Sequence, residues 1–295
     1  MKSILFLVLV MVLVWGLSGS AAQYQVIDLG EQGSFWGELW RPLHLNDQGV
    51  VCGTAPSETN QWVAFSWRQG GGFSYVPADS GWAGWSSGIN NSGVVAGTME
   101  QLGVYLDRAF SWTANDPIYL KPYSFKMKSA SAMGINEAGV IAGYAEEPMT
   151  TNSAIAVVWT DPDNTQVLPT PIPRLYLSDT FNLVTAINNK NQVVGYSGSG
   201  DTRRGFIWTM GDTAAQELGL LAGTVSTVPT GINDAAVVVG YSVDAGYHEM
   251  AFIWQNETIA ALPMIGEGSK ALGLNEKKEI VGTYIKGEQS YACLW

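Results

Sequence analysis

A segment built around one asparagine recurs six times along the chain: LHLNDQGVVCGT, SGINNSGVVAGT, MGINEAGVIAGY, TAINNKNQVVGY, TGINDAAVVVGY and LGLNEKKEIVGT. Its asparagines are Asn46, Asn90, Asn136, Asn188, Asn233 and Asn275, spaced 44, 46, 52, 45 and 42 residues apart. Seven positions after each stands a glycine: Gly53, Gly97, Gly143, Gly195, Gly240 and Gly282. A unit of this size cannot bury its own apolar face, so such a chain must stack its repeats on one another.

Each repeat continues in the same way. A second run, VAFSW, RAFSW, AVVW, GFIW, AFIW or YACLW, ends at Trp67, Trp112, Trp159, Trp208, Trp254 and Trp295. A looser third run follows, as in ELGLLAGT from Glu217, and the residues leading into each asparagine supply a fourth. In AFSW, Phe65 and Trp67 fall on one face of a strand and Ala64 and Ser66 on the other. Stacked sheets then seat bulky aromatics of one repeat on small residues of the next, which makes the tryptophans core. In I-N-x-x-G the asparagine side chain bonds nearby backbone, and the residue three places on must accept a left-handed conformation. That position holds Gly49, Gly93, Gly139, Asn191, Ala236 and Lys278. The asparagines therefore read as hairpin formers. Four short strands per repeat predict an all-β, six-bladed β-propeller with four strands per blade.

The last repeat stops at Trp295 without its loose third run, and a matching piece, YQVIDLG, occurs at Tyr24–Gly30. The expectation is a ring closed by this N-terminal strand, which completes the last blade and hides the sheet edges. Closure would bring the first and last repeats together, with Cys52 in one and Cys293 in the other. An oxidising compartment permits a disulfide between them; the alternative is two buried thiols. Ahead of the repeats, Lys2, an apolar run Ile4–Leu17 and small residues to Ala22 have the layout of a signal peptide. Residues 1–22 are thus expected to be removed, leaving 23–295 as a single domain, secreted or periplasmic, with no membrane span after cleavage.

The net charge of -11 and the absence of a basic stripe argue against nucleic acid as a partner. With only His44 and His248, neither a histidine-based metal site nor a conventional triad is well supplied, and no cofactor or metal is expected. His44 reads as a hydrogen-bonded interior residue and His248 as a solvated one. Gly84–Gly88, GWSSG, matches a hydrolase nucleophile pattern around Ser86 but lacks the strand-turn-helix context that it needs. Asp161–Asn164 reads as a turn rather than a calcium loop, and Glu146-Glu147 as a solubilising pair.

The asparagine segments and the apolar-tryptophan ends resemble the HAF-repeat family of extracellular repeat proteins. The tripeptide's histidine is replaced here by Val63, Arg108, Ile155, Arg204, Met250 and Tyr291, which argues against any ring of histidines. The resemblance implies a secreted repeat protein and supplies no catalytic residues. Once the repeats are subtracted, Trp36, Trp40, Trp82 and Trp85 remain, clustered ahead of the first two asparagines near the expected axial mouth. They are the ligand-binding candidates, as a stacking surface for a carbohydrate or a groove for a protein partner; the alternative is that they plug the channel. The expected function is a non-catalytic binding or adhesion scaffold. The other reading is a propeller enzyme acting on carbohydrate, with carboxylates at the mouth drawn from Glu38, Asp79, Asp179 and Glu267.

Overall fold

The computed structural model describes residues 41–56, 61–104, 106–124, 129–146, 154–169, 180–199, 202–264 and 266–295. The expected signal segment, the stretch Tyr24–Gly30 expected to form the closing strand, Trp36 and Trp40 lie outside them. Every regular element among the described residues is a β-strand. The first sheet runs β1 (Arg41–Leu45), β2 (Val50–Pro56), β3 (Trp62–Arg68) and β4 (Gly72–Tyr75), and the second β5 (Trp82–Ile89), β6 (Val95–Gln101), β7 (Leu106–Trp112) and β8 (Ile118–Tyr119). The third holds β9 (Ser129–Ile135), β10 (Ile141–Glu146), β11 (Ile155–Asp161) and β12 (Asn164–Val167). The fourth holds β13 (Thr180–Ile187), β14 (Gln192–Ser199), β15 (Thr202–Thr209) and β16 (Gln216–Glu217). The fifth is β17 (Thr224–Ile232), β18 (Val238–Asp244), β19 (Glu249–Gln255) and β20 (Thr258–Ala261), and the sixth β21 (Gly268–Leu274), β22 (Ile280–Lys286) and β23 (Gln289–Leu294). Each is an antiparallel meander in chain order, four-stranded except for the three-stranded sixth.

Strand alternation decides how successive sheets stack. Phe110 and Trp112 of the second sheet bury against Cys52 and Ala64 of the first. Trp159 of the third meets Ala96 and Ala109, Trp208 and Phe206 of the fourth meet Ala142 and Ala156, and Trp254 of the fifth meets Val194 and Ile207. These four tryptophans are core, and three of their indole N–H groups donate to main-chain carbonyls: Trp112 to Asn115, Trp159 to Lys121 and Trp208 to Asp212.

At each hairpin the asparagine Oδ1 accepts the N–H of the residue four places on, from Val50 in the first sheet to Glu279 in the sixth. The residue between them takes the left-handed conformation even where it is not glycine, with φ of 57° at Asn191, 58° at Ala236 and 63° at Lys278. A left-handed residue with a Cβ is strained, so Ala236→Gly should raise stability by roughly 0.5–1 kcal/mol, read as a higher urea midpoint at unchanged slope.

The asparagines also tie the sheets together. The Asn46 amide donates to the Asn90 carbonyl at 2.9 Å, and the pattern repeats from Asn90 to Asn136, Asn136 to Asn188, Asn188 to Asn233 and Asn233 to Asn275 at 2.9–3.2 Å. Beside this ladder, the N–H groups of Asp47, Asn91, Glu137, Asn189 and Asp234 each donate to the side chain at the same place in the next sheet.

The inner strand of every sheet carries a bulge two residues before the isoleucine or leucine of the repeat, and Ser87, Thr185 and Thr230 stand there in three of them. Their hydroxyls donate across the hairpin to the carbonyls of Ala96, Val194 and Val239. The repeat glycine explains itself here: a Cβ at Gly97, Gly143, Gly195, Gly240 or Gly282 would lie 2.0–2.2 Å from an inner-strand carbonyl oxygen.

The joints between sheets are knobs in sockets. Ile135 fills the space above Gly88, Ile187 that above Gly134 and Leu274 that above Gly231. Gly273 of the sixth sheet has no such neighbour, Leu45 of the first is 68% exposed, and the Asn275 amide turns to Glu279 of its own hairpin. Val281 and Leu294 on the sixth sheet are bare as well, at 52% and 67% exposure. The described sheets thus leave the sixth joint open.

Both cysteines are free thiols here. Cys52 shares its face with Ala64 and packs into the second sheet, while Cys293 pairs with Gly282 on the face turned to the fifth. The two thiols point away from the joint that would have to bring them together. Burial pushes the Cys52 thiol up to about 11, so it behaves as an apolar filler.

Candidate ligand site

The ends of the strands remote from the asparagine turns carry the chemistry. Here β10 ends at Glu146, β13 begins, β14 ends, and β7 and β15 begin. A cleft of about 310 Å³ is lined by Tyr144, Glu146 and Ala154 of the third sheet and its lead-in, and by Phe181, Leu183, Tyr196 and Arg203 of the fourth. A second hollow of about 240 Å³ adjoins it, lined by Arg203, Val225, Ser226, Val243, Asp244, Ala245 and Tyr247. Arg203 walls both.

Tyr144, Tyr196 and Tyr241 occupy one repeat position, eight residues after the asparagine, where the first two sheets and the sixth have Thr54, Thr98 and Thr283. The threonines of the first two are used structurally: Thr54 Oγ1 accepts the Ser86 N–H and Thr98 Oγ1 the Ala132 N–H. Tyrosine at the same place projects a ring beyond the backbone. Phe181 meets Tyr196 edge to face, with centroids 5.9 Å apart, and the Arg203 guanidinium lies 5.7 Å from the Tyr196 ring centre. Lys270 lies 4.7 Å over Tyr241 and is paired with Glu249 at 2.7 Å.

Two half-buried carboxyls stand on the other side. Burial first, and then Glu100, push the Asp107 carboxyl above the ordinary range, with partial relief from the Ser131 hydroxyl 3.4 Å away. Burial and then Asp107 do the same to Glu146. Burial also raises the Tyr144 phenol, again relieved in part by Ser131. A buried acid whose neighbour disfavours its charge binds a proton more readily than a free carboxylate does, as Glu146 does beside Asp107.

The sequence candidates are scattered. Trp82 is 9% exposed, packs against the first sheet, and has the Arg108 guanidinium 4.6 Å over its ring. Trp85 is half-buried, opposite Thr98 rather than Gln101. Three residues apart in one strand, the two tryptophans face opposite ways and cannot form one stacking surface. Of the four expected carboxylates, Glu38 and Asp179 lie outside the described residues. Asp79 lines a separate hollow of about 230 Å³ with Asp116 and Tyr119, and Glu267 is exposed beside β21. Glu146, expected to serve solubility, instead lines the main cleft. His44 is exposed rather than interior, yet enough chain surrounds it that desolvation lowers its pKa. Exposed His248 accepts or donates at Asp244, whose carboxylate also takes the N–H groups of Gly246 and His248. Ser86 sits buried in mid-strand, where a hydrolase nucleophile would not, and Asp161–Asn164 is a turn. Among the described residues no cluster of three or more His, Cys, Asp or Glu is placed to hold a metal, and no helix is long and apolar enough to cross a membrane.

Successive antiparallel four-stranded sheets stacked face to face define this chain as a β-propeller protein. No family model matches it, and comparison with curated proteins finds no match. A prolyl endopeptidase structure superposes with a TM-score of 0.56 at 11% identity, covering 87% of this chain and 42% of that one, so the chain spans less than half of that protein. The β-propeller domain of the Trilobed protease from Pyrococcus furiosus gives 0.47 at 8% identity over 88% of this chain and 82% of that one. The six-bladed β-propeller lectin of Aleuria aurantia gives 0.45 at 9% identity over 78% of each. These likenesses concern the fold alone.

Proposed function

We propose that the chain is a secreted or periplasmic binding protein that takes a carbohydrate in the cleft between its third and fourth sheets. The observation that carries this reading is the cleft's composition. Phe181, Tyr144 and Tyr196 supply flat apolar faces, while Glu146 and Arg203 supply directional polar groups around one opening. The signal layout of residues 1–22 and the resemblance to HAF-repeat proteins support export. The ring is read as six-bladed and closed, with Tyr24–Gly30 completing the sixth sheet; the bare edge of that sheet and the empty socket at Gly273 support this.

The test is a glycan-array screen of the mature chain beside Tyr196→Ala, checked for cooperative melting. A set of glycans retained by the parent and lost at least tenfold in the variant is expected. Glycan binding that Tyr196→Ala leaves unchanged, or no glycan binding at all, overturns the reading and directs the search to protein partners. The Asp107 and Glu146 pair favours one alternative, a carbohydrate-cleaving enzyme with a proton held at the mouth. Release of reducing ends from a bound glycan, abolished in Asp107→Asn, would establish it.

A further inference from the structure

We propose that the ligand of this cleft carries an anionic group, specifically the carboxylate of an acidic sugar, and that Arg203 binds it. The inference rests on the cleft being the carbohydrate site. Arg203 is held at its backbone and at its guanidinium. Its backbone N–H donates to Ser226 Oγ at 3.0 Å, and its guanidinium lies over the Tyr196 ring. The Nε–H is buried and has no acceptor among the described residues. A buried donor left without an acceptor is destabilising, and native proteins keep such groups chiefly where a ligand or water supplies the acceptor.

The neighbouring cations are matched within the protein: Lys270 with Glu249 at 2.7 Å, and Arg204 with Glu217 at 3.8 Å. Among the described residues Arg203 has no carboxylate partner within ion-pair distance, although it lines both hollows. A guanidinium presents its N–H groups as a planar fork that fits the two oxygens of a carboxylate. Among the described residues the acid on the cleft lining is Glu146, and its position favours the same ligand. Burial and Asp107 raise its affinity for a proton. A second carboxylate entering the cleft pushes Glu146 further in the same direction, toward the form that can donate a hydrogen bond. The aromatic faces of Phe181 and Tyr196 beside the fork suit the ring that bears the acid.

The test is calorimetric titration of the mature chain with three matched oligosaccharides: a galacturonic acid oligomer, the neutral galactose oligomer and a sulfated galactose oligomer. The parent is expected to bind the uronic acid oligomer at least tenfold more tightly than the neutral one and than the sulfated one. Arg203→Gln should bring the uronic acid oligomer down to the level of the neutral one, and Arg203→Lys, which keeps charge but loses the fork, should fall between. Should Arg203→Gln fail to melt cooperatively, the ranking of the three oligomers by the parent decides. Equal affinity for acidic and neutral oligomers overturns the carboxylate while leaving the carbohydrate site standing. A preference for the sulfated oligomer also overturns the carboxylate, and absence of binding to all three overturns both.

Discussion

Gly195→Ala is expected to lower the unfolding free energy by about 3 kcal/mol, the upper end for an overpacked interior position. The added methyl would lie 2.1 Å from the Leu183 carbonyl oxygen and 2.9 Å from the Phe206 ring. Neither neighbour is a flexible side-chain end. Relief requires the inner strand β13 to move off β14, which breaks the bond from Thr185 to the Val194 carbonyl and lifts Val184 out of the core. Gly71→Ala, whose methyl would meet nothing closer than 3.8 Å, serves as the control and should change stability by less than about 0.5 kcal/mol. Urea unfolding of both variants decides the matter; a loss below about 1 kcal/mol for Gly195→Ala would mean that the bulge is soft.

Asn188→Ala should cost about 2–4 kcal/mol, since each buried group left unpaired costs about 1–3 kcal/mol. Asn188 Oδ1 accepts the N–H groups of Lys190 and Gln192, and its amide donates to the Asn233 carbonyl at 2.9 Å. The substitution thus loosens a hairpin and a joint together. Asn275→Ala separates the two contributions. In a closed ring its amide would find the Asn46 carbonyl, so its cost should match that of Asn188→Ala within about 0.5 kcal/mol. A cost lower by about 1 kcal/mol, the worth of one hydrogen bond, would show the sixth joint to be open in solution.

The strands, their hairpins and the burial of Trp112, Trp159, Trp208 and Trp254 are legible because each rests on local rules, whereas Trp67 and Trp295, also expected in the core, are half-buried. Alternation in AFSW puts large and small side chains on opposite faces, and I-N-x-x-G demands a left-handed residue that Ala236 and Lys278 supply at some strain. The purpose of Gly97 and its equivalents was not legible: they recur visibly, but the carbonyl pressed against them belongs to a bulge that no local signal marks. The asparagines were legible as turn formers and not as ties, because their amides reach a residue some 45 positions away. Trp82 and Trp85 do not form one surface, because a spacing of three in a strand puts them on opposite faces. The cleft is not marked by tryptophans. Its signal lies in two columns of the repeat. One changes from threonine to tyrosine at Tyr144, Tyr196 and Tyr241; the other, five residues before each closing tryptophan, reads Trp62, Asp107, Ala154, Arg203, Glu249 and Ser290.

The amide ladder and the knob-in-socket joints are directional: each sheet offers a donor and a socket forward, and an acceptor and a knob backward. Such joints are heterologous, and no single one encodes how many units follow. Copy number is therefore a property of the geometric angle between units, not of any pairwise contact. Duplicating or deleting one repeat leaves every remaining joint chemically intact. By the same logic, a chain whose sixth joint is left open presents a forward end that fits the backward end of another copy, and head-to-tail polymerisation becomes its characteristic mode of failure.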